Sequence, residues 1–313
     1  MQKFRFQTIA IGLLLLISVS KLATAVSSNS TPQRIAVAGG SITEIIYAFE
    51  EQHRIVAVDT TSVFPADAIE NKEKIGYVRA ISNEGILSLE PDLLFGEHDT
   101  GPQKVMDQLK STNLNIEILP QESGLESVDS KITKVAHVLG VEQKGTELNT
   151  MLDYDRKALA FAKENIKEKP KVLFLLSLRG GTPTAAGSST SADIVIKAAG
   201  GENVLKAENG WIKLNVESAL KLNPDAIIIM GRDKSVSRID EAKDMPHFKF
   251  SNAVKNDAVH EIAGSYLLNF GPRAYQAVIE LGTLIHSNFP LPEAYEFRFP
   301  QYAETDVKLK SAH

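Results

Sequence analysis

The chain has 313 residues, no cysteine, and 34 basic against 39 acidic side chains, a formal net charge of −5. That balance argues against nucleic acid or an anionic membrane surface as the main partner. The lack of cysteine excludes disulfides and thiolate metal sites.

The first 25 residues begin with Lys3 and Arg5, continue through an apolar run from Ile9 to Ile17, and close on Ala23-Thr24-Ala25. This is the three-part pattern of a cleaved secretory leader. The uninterrupted apolar run is shorter than the roughly 20 residues a spanning helix needs. With no cysteine at the cleavage point, lipidation is not expected, and a free mature chain is expected to begin near Val26 in the periplasm. Removing the leader's three basic residues leaves 31 against 39 acidic, a net of −8. At about 100–200 residues per domain, the remaining length suggests two domains.

In chain order, RIAVAGG (34–40) reads as a buried strand and SITEIIYAF as a helix, with Ser41 and Glu44 at capping-box spacing. A strand at RIVAVDTT, a helix at NEGILSL, a strand at DLLFGE and a helix at PQKVMDQLK follow. A strand at IEILP and a helix at LESVDSKITKVAHVLG complete an N-terminal lobe over 26–142. Strand signals then cease, and helix formers dominate 143–169 until Pro170, which predicts one long connecting helix. The alternation resumes with KVLFLLSL, ADIVIKAAGG, ESALKL, DAIIIMG, AVHEIAG and GPRAYQAVIELGTLI, a C-terminal lobe over 170–298 before a polar tail, 299–313. The fold class is therefore α/β: two Rossmann-like lobes with largely parallel sheets, joined by one long helix, and a ligand cleft between them.

The lobes echo each other. EGILSLEPDLLF (84–95) and ESALKLNPDAII (217–228) share E-x-x-L-x-L-x-P-D before an apolar strand. Upstream, GYVRAISNE meets GWIKLNVE with one residue fewer. Agreement at five spaced positions favours an internal duplication over a chance recurrence of Pro-Asp turn chemistry.

Within IGYVRA (75–80), Tyr77 and Arg79 are two apart, so an extended segment would present phenol and guanidinium on one face. A tyrosine packed at a lobe edge beside a solvated arginine satisfies the same pattern. Arg179 and Gly180-Gly181 follow a strand and precede a helix, with Ser189 or Ser191 as candidate cap. Arg273 sits at a helix start, with Pro272 placed for a first helical position, where the dipole disfavours a cation unless it meets an anion. Tyr266 and Phe270 just upstream fit either a ligand wall or lobe core. His98 follows a strand end, while His137 and His286 fall late in helices.

Taken together, GGSITEIIYAF, VAVDTTSVFP, IGYVRAISNEGILSLEPDLL, LRGGTPTAAG and LLNFGPRA resemble the periplasmic haem-binding proteins of bacterial haem ABC importers, the HmuT-like group. The resemblance spans essentially the whole mature chain. It implies a protein that is not an enzyme, captures haem and hands it to a permease dimer driven by a cytoplasmic ATPase. An outer-membrane haem receptor is the implied upstream supplier. Tyr77 becomes the expected axial ligand of ferric haem iron, a hard cation suited to a phenolate. A free phenol titrates near pH 10, and the Arg79 cation is expected to favour its ionised form. Arg179 and Arg273 are the expected propionate partners, Tyr266 and Phe270 the packing aromatics, and His98 a candidate sixth ligand. Some members of the group carry a histidine near Arg179; this sequence has none there, which puts a second stacked haem in doubt. Glu84 and Glu217, one on each lobe, match the acidic pair through which the group docks on its permease.

Cobalamin or a ferric siderophore is the alternative cargo, and neither requires an anionic Tyr77. A bare zinc or manganese site needs three or four convergent ligands. The sequence contains no G-x-S-x-G, H-E-x-x-H or phosphate-loop signature of an enzyme.

Overall fold

The structure, a computed structural model, describes residues 31–231 and 237–297. The expected leader and the 299–313 tail lie outside the described residues. The N-terminal half runs β1 (Ile35–Ala38), α1 (Gly40–Ala48), β2 (Ile55–Val58), α2 (Ala66–Asn71) and β3 (Glu73–Lys74). A short hairpin, β4 (Gly76–Tyr77) and β5 (Ala80–Ile81), precedes α3 (Asn83–Leu87). Then come β6 (Leu93–Gly96), α4 (Gln103–Lys110), β7 (Asn115–Ile118) and α5 (Ser127–Leu139). Apart from the hairpin these strands form one parallel sheet in the order β3-β2-β1-β6-β7.

Helix α6 (Glu142–Asn165) follows, about 36 Å long at a rise of ~1.5 Å per residue. It stops at Ile166, ahead of Pro170, because Ile166 already has extended backbone angles. The C-terminal half contains β8 (Lys171–Ser177), β9 (Thr184–Ala186), α7 (Ser191–Ala198), β10 (Glu202–Asn203), β11 (Trp211–Lys213) and α8 (Val216–Leu222). It continues with β12 (Ala226–Gly231), α9 (Ile239–Asp244), α10 (Asn252–Lys255), β13 (Val259–Ala263), α11 (Gly264–Leu268) and α12 (Ala274–Ile285). Strands β8, β12 and β13 run parallel, whereas β9 and β11 extend the edge antiparallel to their neighbours.

Each sheet is apolar on both faces, as a parallel sheet with helices on either side must be. In the first, Ile35, Val37 and Phe95 face one side and Ala36, Ala38 and Leu94 the other. In the second, Phe174 and Ile228 join the same core as Ile35, and Leu173, Leu175 and Ile227 build a separate one. Helix α6 makes that shared core continuous, with Leu148, Leu152 and Leu159 all buried in it. Its contact with α5 is close: a Cβ at Gly145 would lie 2.6 Å from that of Ala136.

Two polar links also join the halves. The expected capping box at Ser41 and Glu44 does not form, because Gly39 takes the N-cap and both side chains point elsewhere. Ser41 Oγ donates to Glu97, and Lys131 Nζ spans Glu97 (3.1 Å) and the Asn269 carbonyl (3.4 Å). Glu44 reaches the other half, accepting two hydrogen bonds from Arg273, 3.0 Å from Nε and 2.7 Å from Nη2. Glu44 is 5% and Arg273 4% exposed, so neither charge has water as an alternative partner.

Removing one member of such a buried pair strands the other. Glu44→Ala is expected to lower stability by about 3–5 kcal/mol in urea denaturation, and Glu44→Leu with Arg273→Met to recover most of that loss. Glu51 provides a pH test. Burial pushes its carboxyl up, but the Lys144 hydrogen bond and the Arg54 and Lys144 charges outweigh burial and hold it below its ordinary value. Its folded value being depressed, its contribution is present above pH 4.5, the ordinary value, and lost as pH falls through the folded one. Glu51→Gln should therefore flatten the drop in stability measured between pH 6 and pH 3.

Candidate ligand-binding site

In open α/β sheets, ligands bind outside the carboxyl ends of the strands. On the N-terminal half, the loops after β1, β2 and β6 meet there. Buried Asp59 organises the first two by accepting from Gly39 N (3.0 Å), Thr61 N (2.9 Å), Thr61 Oγ1 (2.7 Å) and Ser62 Oγ (2.9 Å). Burial pushes its carboxyl up, and these bonds offset that only in part.

The β4–β5 hairpin is fixed to the same end. Thr60 N donates to Gly76 O at 2.8 Å, Gly101 N to Val78 O at 2.9 Å, and Ile81 N to Gly101 O at 2.8 Å. Ile75, Val78 and Ile81 are buried beneath it in the core with Ala36 and Leu94. Tyr77 and Arg79 are left outside, with Tyr77 44% exposed. The shared side arises differently from the expected extended segment. Tyr77 pairs with Ala80 across the hairpin, and Val78 and Arg79 form its turn. Val78 points inward, so its neighbours point out.

Arg79 Nε donates to Asp99 Oδ2 at 2.6 Å. That hydrogen bond holds the guanidinium above its ordinary pKa against the opposing effect of burial, with further contributions from the charges of Asp99 and Tyr77. The phenol and guanidinium therefore lie within electrostatic reach of each other. Asp99 was not singled out from the sequence; only a contact 20 residues along the chain reveals it. His98, beside it on the turn after β6, is exposed.

On the C-terminal half, Arg179 follows the carboxyl end of β8 and is exposed, and Gly180 and Gly181 take positive φ (68° and 70°) in that turn. No hydrogen bond or ion pair holds its guanidinium among the described residues. The helix beyond is capped by Thr190, which accepts from Asp193 N at 3.1 Å, and not by Ser189 or Ser191.

Two expected ligand contacts are corrected. Arg273 is not an open cation on a helix N-terminus: α12 begins at Ala274, and the guanidinium is paired with Glu44 and covered by the rings of Phe64 (3.6 Å to its centroid) and Tyr266 (5.0 Å). The anion it meets is therefore supplied by the protein. Tyr266 is 6% exposed in the shared core, and its hydroxyl accepts from Gln276 Nε2 at 3.4 Å. Burial first, and then Glu280, push this phenol far above its ordinary pKa. Neither side chain is presented to a ligand. Phe270 is partly buried against the same core.

Glu84 and Glu217 occupy equivalent positions. Each lies in the first turn of a short helix, α3 capped by Ser82 and α8 by Asn215, and each is exposed. Glu217 also pairs with Lys221 at 2.7 Å.

The chain is similar to proteins of one kind. Residues 35–266 match the family described as periplasmic binding protein. The structure is similar to the periplasmic heme-binding protein RhuT from Roseiflexus sp. RS-1 in its apo form, with 31% identity and a TM-score of 0.75 over 81% of this chain and 97% of that one. The ABC transporter substrate-binding lipoprotein YvrC of Bacillus subtilis is 25% identical over 83% of this chain and 82% of its own length. A vitamin B12-binding protein of Pectobacterium atrosepticum is 24% identical over 75% of this chain and 81% of its own. These relatives are solute-binding proteins rather than enzymes, and the family acts outside the cytoplasm. With its parallel-sheet halves and long linking helix, the chain belongs to the periplasmic binding protein family.

Proposed function

We propose that the protein captures ferric haem in the periplasm and delivers it to an inner-membrane ABC importer, with Tyr77 as the iron ligand. The reading rests on the exposed Tyr77 phenol held beside the Asp99-oriented guanidinium of Arg79 at the carboxyl end of the N-terminal sheet. A phenolate is a hard donor suited to ferric iron, and a neighbouring cation favours phenolate over phenol. Asp99 fixes the position of that cation while offsetting part of its charge. Arg179 is the propionate partner from the opposite half, and His98 the candidate for the second iron face. The similarity to a heme-binding protein over 81% of the chain supports the cargo.

Glu84 and Glu217 are the docking acids for the two permease subunits, one from each half. Rim charges of this kind govern association rate and orientation more than net affinity. YvrC is a lipoprotein; this chain has no cysteine, so we place the mature protein free in the periplasm after cleavage near residue 25. Cobalamin is the second reading, favoured by the similarity to the vitamin B12-binding protein.

Absorbance titrations with ferric haem and with cyanocobalamin separate the two. Haem should give a high-spin, tyrosinate-type spectrum, and Tyr77→Phe should weaken binding by about 100-fold, equivalent to ~3 kcal/mol. Binding of cobalamin without haem would overturn the proposal. Arg79→Gln should weaken ferric-haem binding about tenfold, because the bound phenolate loses its neighbouring cation; unchanged affinity would remove Arg79 from the mechanism. Charge reversal at Glu84 and Glu217 should leave haem titrations unchanged while abolishing stimulation of the reconstituted importer's ATPase.

A further inference from the structure

We infer that Trp211 and Lys213 form a second wall of the ligand site, in which the indole stacks on a flat macrocycle and the ammonium meets one of its carboxylates. This rests on the haem reading above. Both residues stand in the internal repeat where the N-terminal half has Tyr77 and Arg79: GWIKLNVE corresponds to GYVRAISNE with one residue removed. Structural correspondences accompany the sequence match. Gly76 and Gly210 both have positive φ (99° and 77°), a conformation that glycine tolerates, so the chain turns alike before each aromatic residue. Downstream, Ser82 and Asn215 cap the helices that carry Glu84 and Glu217. The aromatic residues are also similarly open to solvent, Trp211 at 41% and Tyr77 at 44%.

Unlike Tyr77 and Arg79, Trp211 and Lys213 do lie in one regular strand. Alternation therefore puts indole and ammonium on a common face of β11. Lys213 pairs with Thr184, which pairs with Ser177, the last residue of β8. Lys213 thus reaches the carboxyl end of the sheet, two residues short of Arg179 on β8's continuation, and Trp211 stands two residues behind it on the same face, level with Phe174. Lys213 is exposed and has no ion pair among the described residues. The Trp211 ring is steadied by buried Phe174, with centroids 6.2 Å apart and planes inclined at 55°, while much of its surface stays uncovered. A large aromatic side chain backed by core and left open, beside an exposed cation, suits a planar anionic ligand. The lost residue in the repeat removes the hairpin turn, so this half presents its aromatic residue from a regular strand.

Metal-free protoporphyrin IX tests this directly, because it keeps the ring and propionates but gives Tyr77 no iron to bind. Trp211→Ala should weaken protoporphyrin binding about tenfold and speed haem loss, Trp211→Phe should retain most of the affinity, and Tyr77→Phe should leave protoporphyrin binding nearly intact. In Trp211→Ala the haem spectrum should keep its tyrosinate character. Lys213→Gln should weaken binding of protoporphyrin but not of its dimethyl ester. Wild-type affinity for protoporphyrin in Trp211→Ala, with only a lowered melting temperature of the apoprotein, would overturn the inference by reducing Trp211 to a cover for Phe174. A wild-type protein that binds neither porphyrin would overturn the haem reading and this inference with it.

Discussion

Everything at the N-terminal rim depends on how the six residues from Gly76 to Ile81 are held. Left to itself, a two-stranded ribbon this short has no independent stability. Here it borrows rigidity from both sides: backbone hydrogen bonds tie it to the loops after β2 and β6, and Ile75, Val78 and Ile81 anchor it in the core. Tyr77 is therefore exposed without being mobile in its backbone, and Arg79 is oriented by Asp99. With the backbone beneath it fixed, only the side chain's own rotamers are left to be ordered in any contact it makes.

The same economy governs the two halves. They share one apolar core through α6, and they are linked by the Glu44–Arg273 pair and by Lys131 at the Asn269 carbonyl. A wide opening would have to expose two buried charges or separate them, which carries a cost comparable to breaking a buried ion pair. Cargo exchange is thus better served by small adjustments at the rims than by rotation of one half against the other. Glu84 and Glu217 lie outside this linked core, exposed on the first turns of α3 and α8.

Much of this was legible in the sequence. Alternating apolar strands and amphipathic helices specify parallel sheets, and the stretch of helix formers after Gln143 specifies α6, though its end was misplaced because Ile166 leaves helical geometry before Pro170. The repeat placed Glu84 and Glu217 on matching helix starts. What failed were readings that treated a side chain as answering only to its neighbours in sequence. Ser41 and Glu44 have capping-box spacing, yet a carboxylate from β6's loop and a guanidinium 229 residues away compete for them and win. Arg273 was correctly read as a cation awaiting an anion, but that anion belongs to the protein. Tyr77 closes strand β4 and Tyr266 lies within helix α11, and their burial, 44% against 6% exposure, is set by packing that the residue type alone does not convey.

Resonance Raman spectroscopy of the ferric haem complex, excited in the phenolate-to-iron charge-transfer band, tests the central claim most directly. Phenolate ring modes with an iron–oxygen stretch are expected, all absent in Tyr77→Phe. An unchanged spectrum in Tyr77→Phe, or a wild-type spectrum of iron held by imidazole alone, would contradict it.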